Sequence, residues 1–114
     1  MTKKNKEIIW TGDSKDNLLK FPEDVKDIMG YALHIAQQGG KHPATKPLKG
    51  FKGAGVLEVA ENHDGNTYRA IYTVRIKNKV YVLHAFQKKS KKGIQTPKSD
   101  IELIKTRLKY AESE

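Results

Sequence analysis

The sequence contains no cysteine. That excludes disulfide staples, thiolate metal sites and a thiol nucleophile. Long apolar runs are also missing, and the longest falls far short of the roughly 20 residues that a membrane-spanning helix needs. The opening residues, MTKKNKEIIW, are basic but lack an apolar stretch of signal-peptide length, so a cytoplasmic protein is expected. His34, His42, His63 and His84 lack close metal-ligand spacing, no Ser/His/Asp order is recognisable, and no carboxylate pair stands out for acid–base work. Gly50, Gly53 and Gly55 are not followed by the Gly-Lys-Ser/Thr of a phosphate-binding loop. Neither a metal nor another cofactor is expected. Acidic residues are scarce, 13 against 22 Lys and Arg, giving a formal net charge of +9. An excess of that size in 114 residues favours a polyanionic partner, nucleic acid or an acidic protein, with simple solubility as the bland alternative. The length fits a single domain, residues 1–114, with one modest core.

What is present reads as an α+β chain. Glu7 to Trp10 is a short strand, and Gly12-Asp13-Ser14 is turn chemistry. Ser14 or Asp16 caps a short helix carrying Leu18 and Leu19. Phe21-Pro22-Glu23-Asp24 opens a longer helix whose Val25, Ile28, Met29, Ala32, Leu33, Ile35 and Ala36 recur at helical spacing until Gly39-Gly40. Gly30 inside it is either tolerated or admits another backbone. Lys41 to Lys52, with two prolines and no periodicity, is expected to be a loop bearing Lys41, Lys46, Lys49 and Lys52. Val56 to Glu61 is a strand, and Asp64-Gly65 marks a tight turn. After the sheet, Ser90 to Gln95 is a polar connector. Thr96-Pro97, or Ser99 with Glu102 as a capping box, starts a last helix with an Ile101, Ile104, Leu108 and Ala111 stripe.

The centre of the chain is Tyr68 to Lys92, two long strands followed by dense lysines. Tyr68, Ala70, Tyr72, Val74 and Ile76 make an apolar face; Arg69, Ile71, Thr73, Arg75 and Lys77 make a mixed cationic one. A two-residue turn at Asn78-Lys79 pairs Lys77 with Val80. Counting outward sets Val74 opposite Leu83, Thr73 opposite His84, Ile71 opposite Phe86 and Arg69 opposite Lys88. That register gathers Arg69, His84 and Lys88 on one surface.

Such a surface suits RNA cleavage without a metal. The ribose 2′-hydroxyl attacks the adjacent phosphate once aligned and deprotonated, and fixed positive charge steadies the phosphorane. Arg offers a forked, permanent cation for the non-bridging oxygens. Lys or His can move a proton where neighbouring charge draws its pKa toward neutrality. Taken singly, Arg69 reads as an exposed sheet arginine, His84 as a space-filling strand residue, and the lysines as a solvated run.

The order KPLKG, GVLEVAE, YRAIYTV, VYVLHAFQKKSKK and TP before a terminal helix resembles the RelE/ParE toxin superfamily, and within it the phage-derived, HigB-like branch. The resemblance runs from about Glu7 to Leu108. It implies N-terminal helices on a twisted, mostly antiparallel sheet, a C-terminal helix, and a toxin neutralised by a cognate antitoxin of helix-turn-helix type. It also implies a ribosome-dependent mRNA endonuclease. By motif position, Arg69 corresponds to the arginine at the scissile phosphate, and Lys88 or Lys89 to a second basic residue. Lys46, Lys49 and Lys52 correspond to loop lysines that act on mRNA; Lys91 and Lys92 extend the RNA-binding set. His84 or Gln87 lies near acid–base positions of some branches. The aromatic residue near the C-terminus of RelE-type toxins has no counterpart except Tyr110, in a helix, so the general base stays open. A ParE-like gyrase inhibitor and a phage relic that only binds nucleic acid or antitoxin are the competing readings.

Overall fold

The computed structural model describes residues 5–51, 53–89 and 96–114, and for Lys89 the backbone alone. Its elements run β1 (Ile8–Trp10), α1 (Ser14–Leu19), α2 (Glu23–Gln37), β2 (Thr45–Pro47), β3 (Val56–His63), β4 (Asn66–Ile76), β5 (Lys79–Lys89) and α3 (Lys98–Ser113). The five strands form one sheet in the order β1-β5-β4-β3-β2. β1 lies parallel to β5; every other pairing is antiparallel. The architecture is the α+β arrangement expected, with the long hairpin at its centre.

Alternation along the strands gives each sheet face its own core. On one face Tyr68, Ala70, Tyr72, Val80, Val82 and Ala85 meet Leu18, Phe21, Val25, Met29, Ala32, Leu33 and Ala36 of α1, α2 and their link. On the other, Val56, Ile71, Tyr81 and Leu83 meet Ile104, Leu108 and Ala111 of α3, with Leu48 and Phe51 closing one side. The sheet is therefore the middle of three layers. α2 starts behind Pro22 with Glu23 and Asp24 at the positive end of its dipole. It stops in a Schellman turn: Gly39, at φ 89°, sends its N–H to Ala36, and Gly40 sends its own to Ile35. No described helix is long and apolar enough to cross a membrane.

β1 covers only the first part of β5, pairing with Val80 to Val82. Beyond it, side chains satisfy the strand's outer carbonyls. Thr11 Oγ1 donates to Val82 at 2.9 Å, and Asn17 Nδ2 donates to Ala85 at 3.1 Å.

Several local expectations are corrected. The stretch from Lys41 to Lys52 is not all loop: Thr45–Pro47 pairs with β3 as an edge strand, where a proline costs no ladder bond if its nitrogen faces outward. Pro97 precedes α3 directly, so Ser99 is already inside the helix and the Ser99–Glu102 capping box does not form. Asp13 precedes α1, and the Ser14 hydroxyl turns instead to the Val82 carbonyl. The hairpin turn is Lys77-Asn78, at φ 51° and 56°, the left-handed pair that a tight hairpin turn requires. Ile76 thus faces Lys79, and two bulges follow. One sets Val74 and Arg75 against Val80; the other inserts Leu83 between Val82 and His84. Leu83 and Ile76 accordingly pack in the α3 core, not on the α2 side with Val74.

Candidate nucleic-acid interface

The pairing builds three rows across the α3 face. Lys46, Glu58, Ile71 and His84 form the first, Ala60, Arg69 and Phe86 the second, and Asn62, Thr67 and Lys88 the third. Arg69 is opposite Phe86, not Lys88 as the two-residue turn at Asn78-Lys79 implied. At Arg69 the offset is an even number of residues, so Arg69, His84 and Lys88 still share a face. Lys88 remains a diagonal neighbour of Arg69, at a Cα spacing of about 7–8 Å. His84 is likewise diagonal to Arg69, and three strand spacings, roughly 14 Å, separate it from Lys46.

Between the β2 segment and the start of α3 lies a cleft of about 550 Å³ lined by Lys46, Leu48, Lys49, Glu58, Arg69, Thr96 and Ile101. Its floor is an ion pair. Arg69 Nη1 donates to Glu58 Oε2, and the two residues are only 6% and 2% exposed. Burial at that level demands a partner for each charge, and each supplies the other's. Thr96 Oγ1 stands 3.5 Å from both Arg69 Nη1 and Glu58 Oε2. Lys46, exposed at the rim, brings its Nζ to 3.9 Å from Glu58 Oε1. Lys49 is exposed on the same rim. The cleft thus has a buried ion pair below and exposed cations above, with Leu48 and Ile101 as apolar walls.

His84 belongs to a different constellation. It is 5% exposed, stacks on Phe86 at 4.9 Å and 18°, and does not line the cleft. Its Nε2 lies 2.7 Å from Asp100 Oδ1 and its Nδ1 3.5 Å from Arg107 Nη1. Arg107 also donates to the Leu83 carbonyl at 2.9 Å and to Asp13 at 2.7 Å. The hydrogen bond from Arg107 holds the Asp13 carboxyl below its ordinary value near 3.8; burial opposes it, and the charge of Arg107 adds to the lowering. Lys88 is half-buried on the third row. Lys52, Lys91 and Lys92 lie outside the described residues, as does the Lys89 side chain.

Glu58 and Thr96 were not singled out from sequence. A signal for Glu58 existed. The Asp64-Gly65 turn, carried back as a two-residue hairpin, sets Ala60 opposite Arg69 and Glu58 diagonal to it. Thr96 had no such signal, since its place depends on how α3 docks.

A family model described as phage-derived protein Gp49-like (DUF891) matches residues 16–109. The chain belongs to the Gp49-like family. No curated protein and no solved structure matches it. Membership of the Gp49-like family is compatible with a RelE-like toxin of a toxin–antitoxin system, and with it an antitoxin partner. The match takes in every residue of the cleft and of the His84 constellation except Asp13.

Proposed function

We propose that this Gp49-like protein is a metal-independent, ribosome-dependent mRNA endonuclease of the HigB-like kind. It arrests translation and is held in check by a helix-turn-helix antitoxin. The observation that carries the reading is the cleft in which Glu58 and Arg69 pair beneath Lys46 and Lys49. In this reading the rim lysines and Lys88 hold the ribose-phosphate strand. The Glu58 carboxylate takes the proton of the 2′-hydroxyl, whose oxygen then attacks the adjacent phosphorus. Arg69, a forked permanent cation lining the cleft, steadies the non-bridging oxygens as charge develops. The P–O5′ bond breaks and Lys88 protonates the departing oxygen, leaving a 2′,3′-cyclic phosphate and a 5′-hydroxyl. Glu58 fills the role of general base from geometry alone: it is the carboxylate on the cleft floor.

The test is to express the wild type and Glu58→Gln in growing cells and map new RNA ends on translated messages. Wild-type cuts should end in cyclic phosphates. Glu58→Gln should cut on the order of 10²–10⁴-fold more slowly, the usual contribution of a general base. Growth arrest with intact mRNA and blocked supercoiling would replace this reading with gyrase inhibition.

A further inference from the structure

α3 forms the second wall of the cleft through its first turn, yet its deep anchors are elsewhere. Ile104, Leu108 and Ala111 are buried, whereas Lys98 and Ser99 are exposed and Ile101 only half-buried. No side-chain cap holds the N-terminal end among the described residues. Asp100 ties that turn to the sheet through a charged contact, at 2.7 Å from His84 Nε2. His84 is itself held from three sides. Phe86 stacks on it, the strand bulge at Leu83 aims it toward α3, and Arg107 faces its Nδ1. Arginine is a donor only, so Nδ1 accepts and the Nε2 proton is directed at Asp100. The seat of Arg107 is itself built: it bonds the Leu83 carbonyl and Asp13, and Gly12, at φ 51°, leaves room where a Cβ would come within 2.5 Å of Nη2.

We propose that Asp100 and His84, backed by Arg107, are positioning residues: their bond fixes the first turn of α3 and so sets Thr96 and Ile101 against the Glu58–Arg69 pair. Two physical routes join them to that pair. One runs through the helix turn from Asp100 back to Thr96. The other runs through Phe86, which stacks on His84 and is the cross-strand partner of Arg69. His84 then touches no substrate, and its effect on chemistry is exerted through the geometry of the cleft. The kinetic part of this proposal rests on the nuclease reading; the structural part does not.

The experiment uses the full chain with Asp100→Ala, Asp100→Asn and His84→Gln. Amide hydrogen exchange across α3 and the NMR signal of the Arg69 Nε–H are read without RNA; kcat and KM are read on translated mRNA. Asp100→Ala should speed exchange in the first turn of α3 at least tenfold, leave Ile104 to Ala111 unchanged, and shift the Arg69 signal. It should lower kcat about tenfold with KM within twofold, because the rim lysines are untouched. Asp100→Asn keeps an oxygen that accepts from His84, and His84→Gln keeps a donor near the Nε2 position; both should restore most of the wild-type behaviour. An Asp100→Ala protein whose first turn and Arg69 signal match the wild type overturns the proposal, as does Asp100→Asn behaving like Asp100→Ala. Should Asp100→Ala not fold, the Asn and Gln variants decide the matter on the same two signals. A wild type that cuts no RNA removes the nuclease reading and leaves the exchange and Arg69 measurements to judge this one.

Discussion

Replacing Arg69 by Met keeps most of the side chain's apolar stem and removes its charge. Glu58, 2% exposed, would then be left with a lysine at 3.9 Å on the exposed rim and a threonine at 3.5 Å. Breaking a buried pair in this way costs about 3–5 kcal/mol, because one charge stays in low dielectric without its counter-charge. At about 4 °C per kcal/mol for a chain of this size, the melting temperature should fall by about 12–20 °C. Adding Glu58→Leu removes the stranded charge. The double variant should recover to within about 1 kcal/mol of the wild type, or exceed it, since well-packed apolar replacements of buried pairs are often neutral or stabilising. Urea unfolding measures all three proteins, and an unchanged m-value would show that the same surface is being exposed. If Arg69→Met loses less than about 1 kcal/mol, the pair is solvated and the buried floor of the cleft has been misread. The double variant also separates scaffold from chemistry. Folded but uncharged, it should no longer arrest growth, and persistent toxicity would reduce Glu58 and Arg69 to structural parts.

Gly30 has open space where a Cβ would project and an ordinary helical backbone, so Gly30→Ala should stabilise the protein by up to about 1 kcal/mol in thermal unfolding. Asp13→Asn should lower stability at neutral pH by less than about 1 kcal/mol, since that carboxylate is largely exposed and its pairing with Arg107 is screened. Because the folded carboxyl titrates below its unfolded value near 3.8, its contribution is present above that pH and lost as pH falls through the folded value; the Asp13→Asn difference should vanish in acid. Lys46→Ala and Lys49→Ala should each reduce the salt dependence of RNA binding by about 0.7 log units of affinity per log unit of salt, read by titration at several salt concentrations.

The α2 layer and the sheet face beneath it were legible because the code behind them is local. Val25, Met29, Ala32 and Ala36 recur at helical spacing, and Tyr68, Ala70 and Tyr72 alternate. Outside its two bulges the hairpin was legible in parity but not in register, and between them it was legible in neither. A turn written Lys77-Asn78-Lys79 offers two tight solutions, and only the left-handed φ at Lys77 and Asn78 distinguishes them. Bulges are invisible to alternation, so Leu83 and Ile76 were assigned to the wrong core. Thr45–Pro47 has too little length to show a period and becomes a strand only because β3 presents an edge to it. In the cleft, Arg69 and Lys46 were legible as cations. The burial of Arg69 was not, because the surface reading of a sheet arginine ignores Glu58, two residues before its cross-strand partner Ala60. Asp100 and Arg107 pass in sequence for the ordinary polar side of a helix, and acquire meaning only when α3 lies over His84.

The extra residue at Leu83 leaves the pairing on either side of it in step, with Val82 facing Tyr72 and His84 facing Ile71. Two neighbours, Leu83 and His84, therefore turn to the same side of β5, one into the α3 core and the other toward Asp100. Deleting Leu83 closes the bulge and keeps Phe86 and Lys88 on the face of Arg69, but it empties a fully buried leucine site beneath α3. That void should cost about 2–5 kcal/mol, the usual range for a lost core leucine. The toxin reading therefore carries a genetic corollary. Single-codon losses at position 83 should be found among escape mutants of an arrested culture, even though no cleft residue is missing from them.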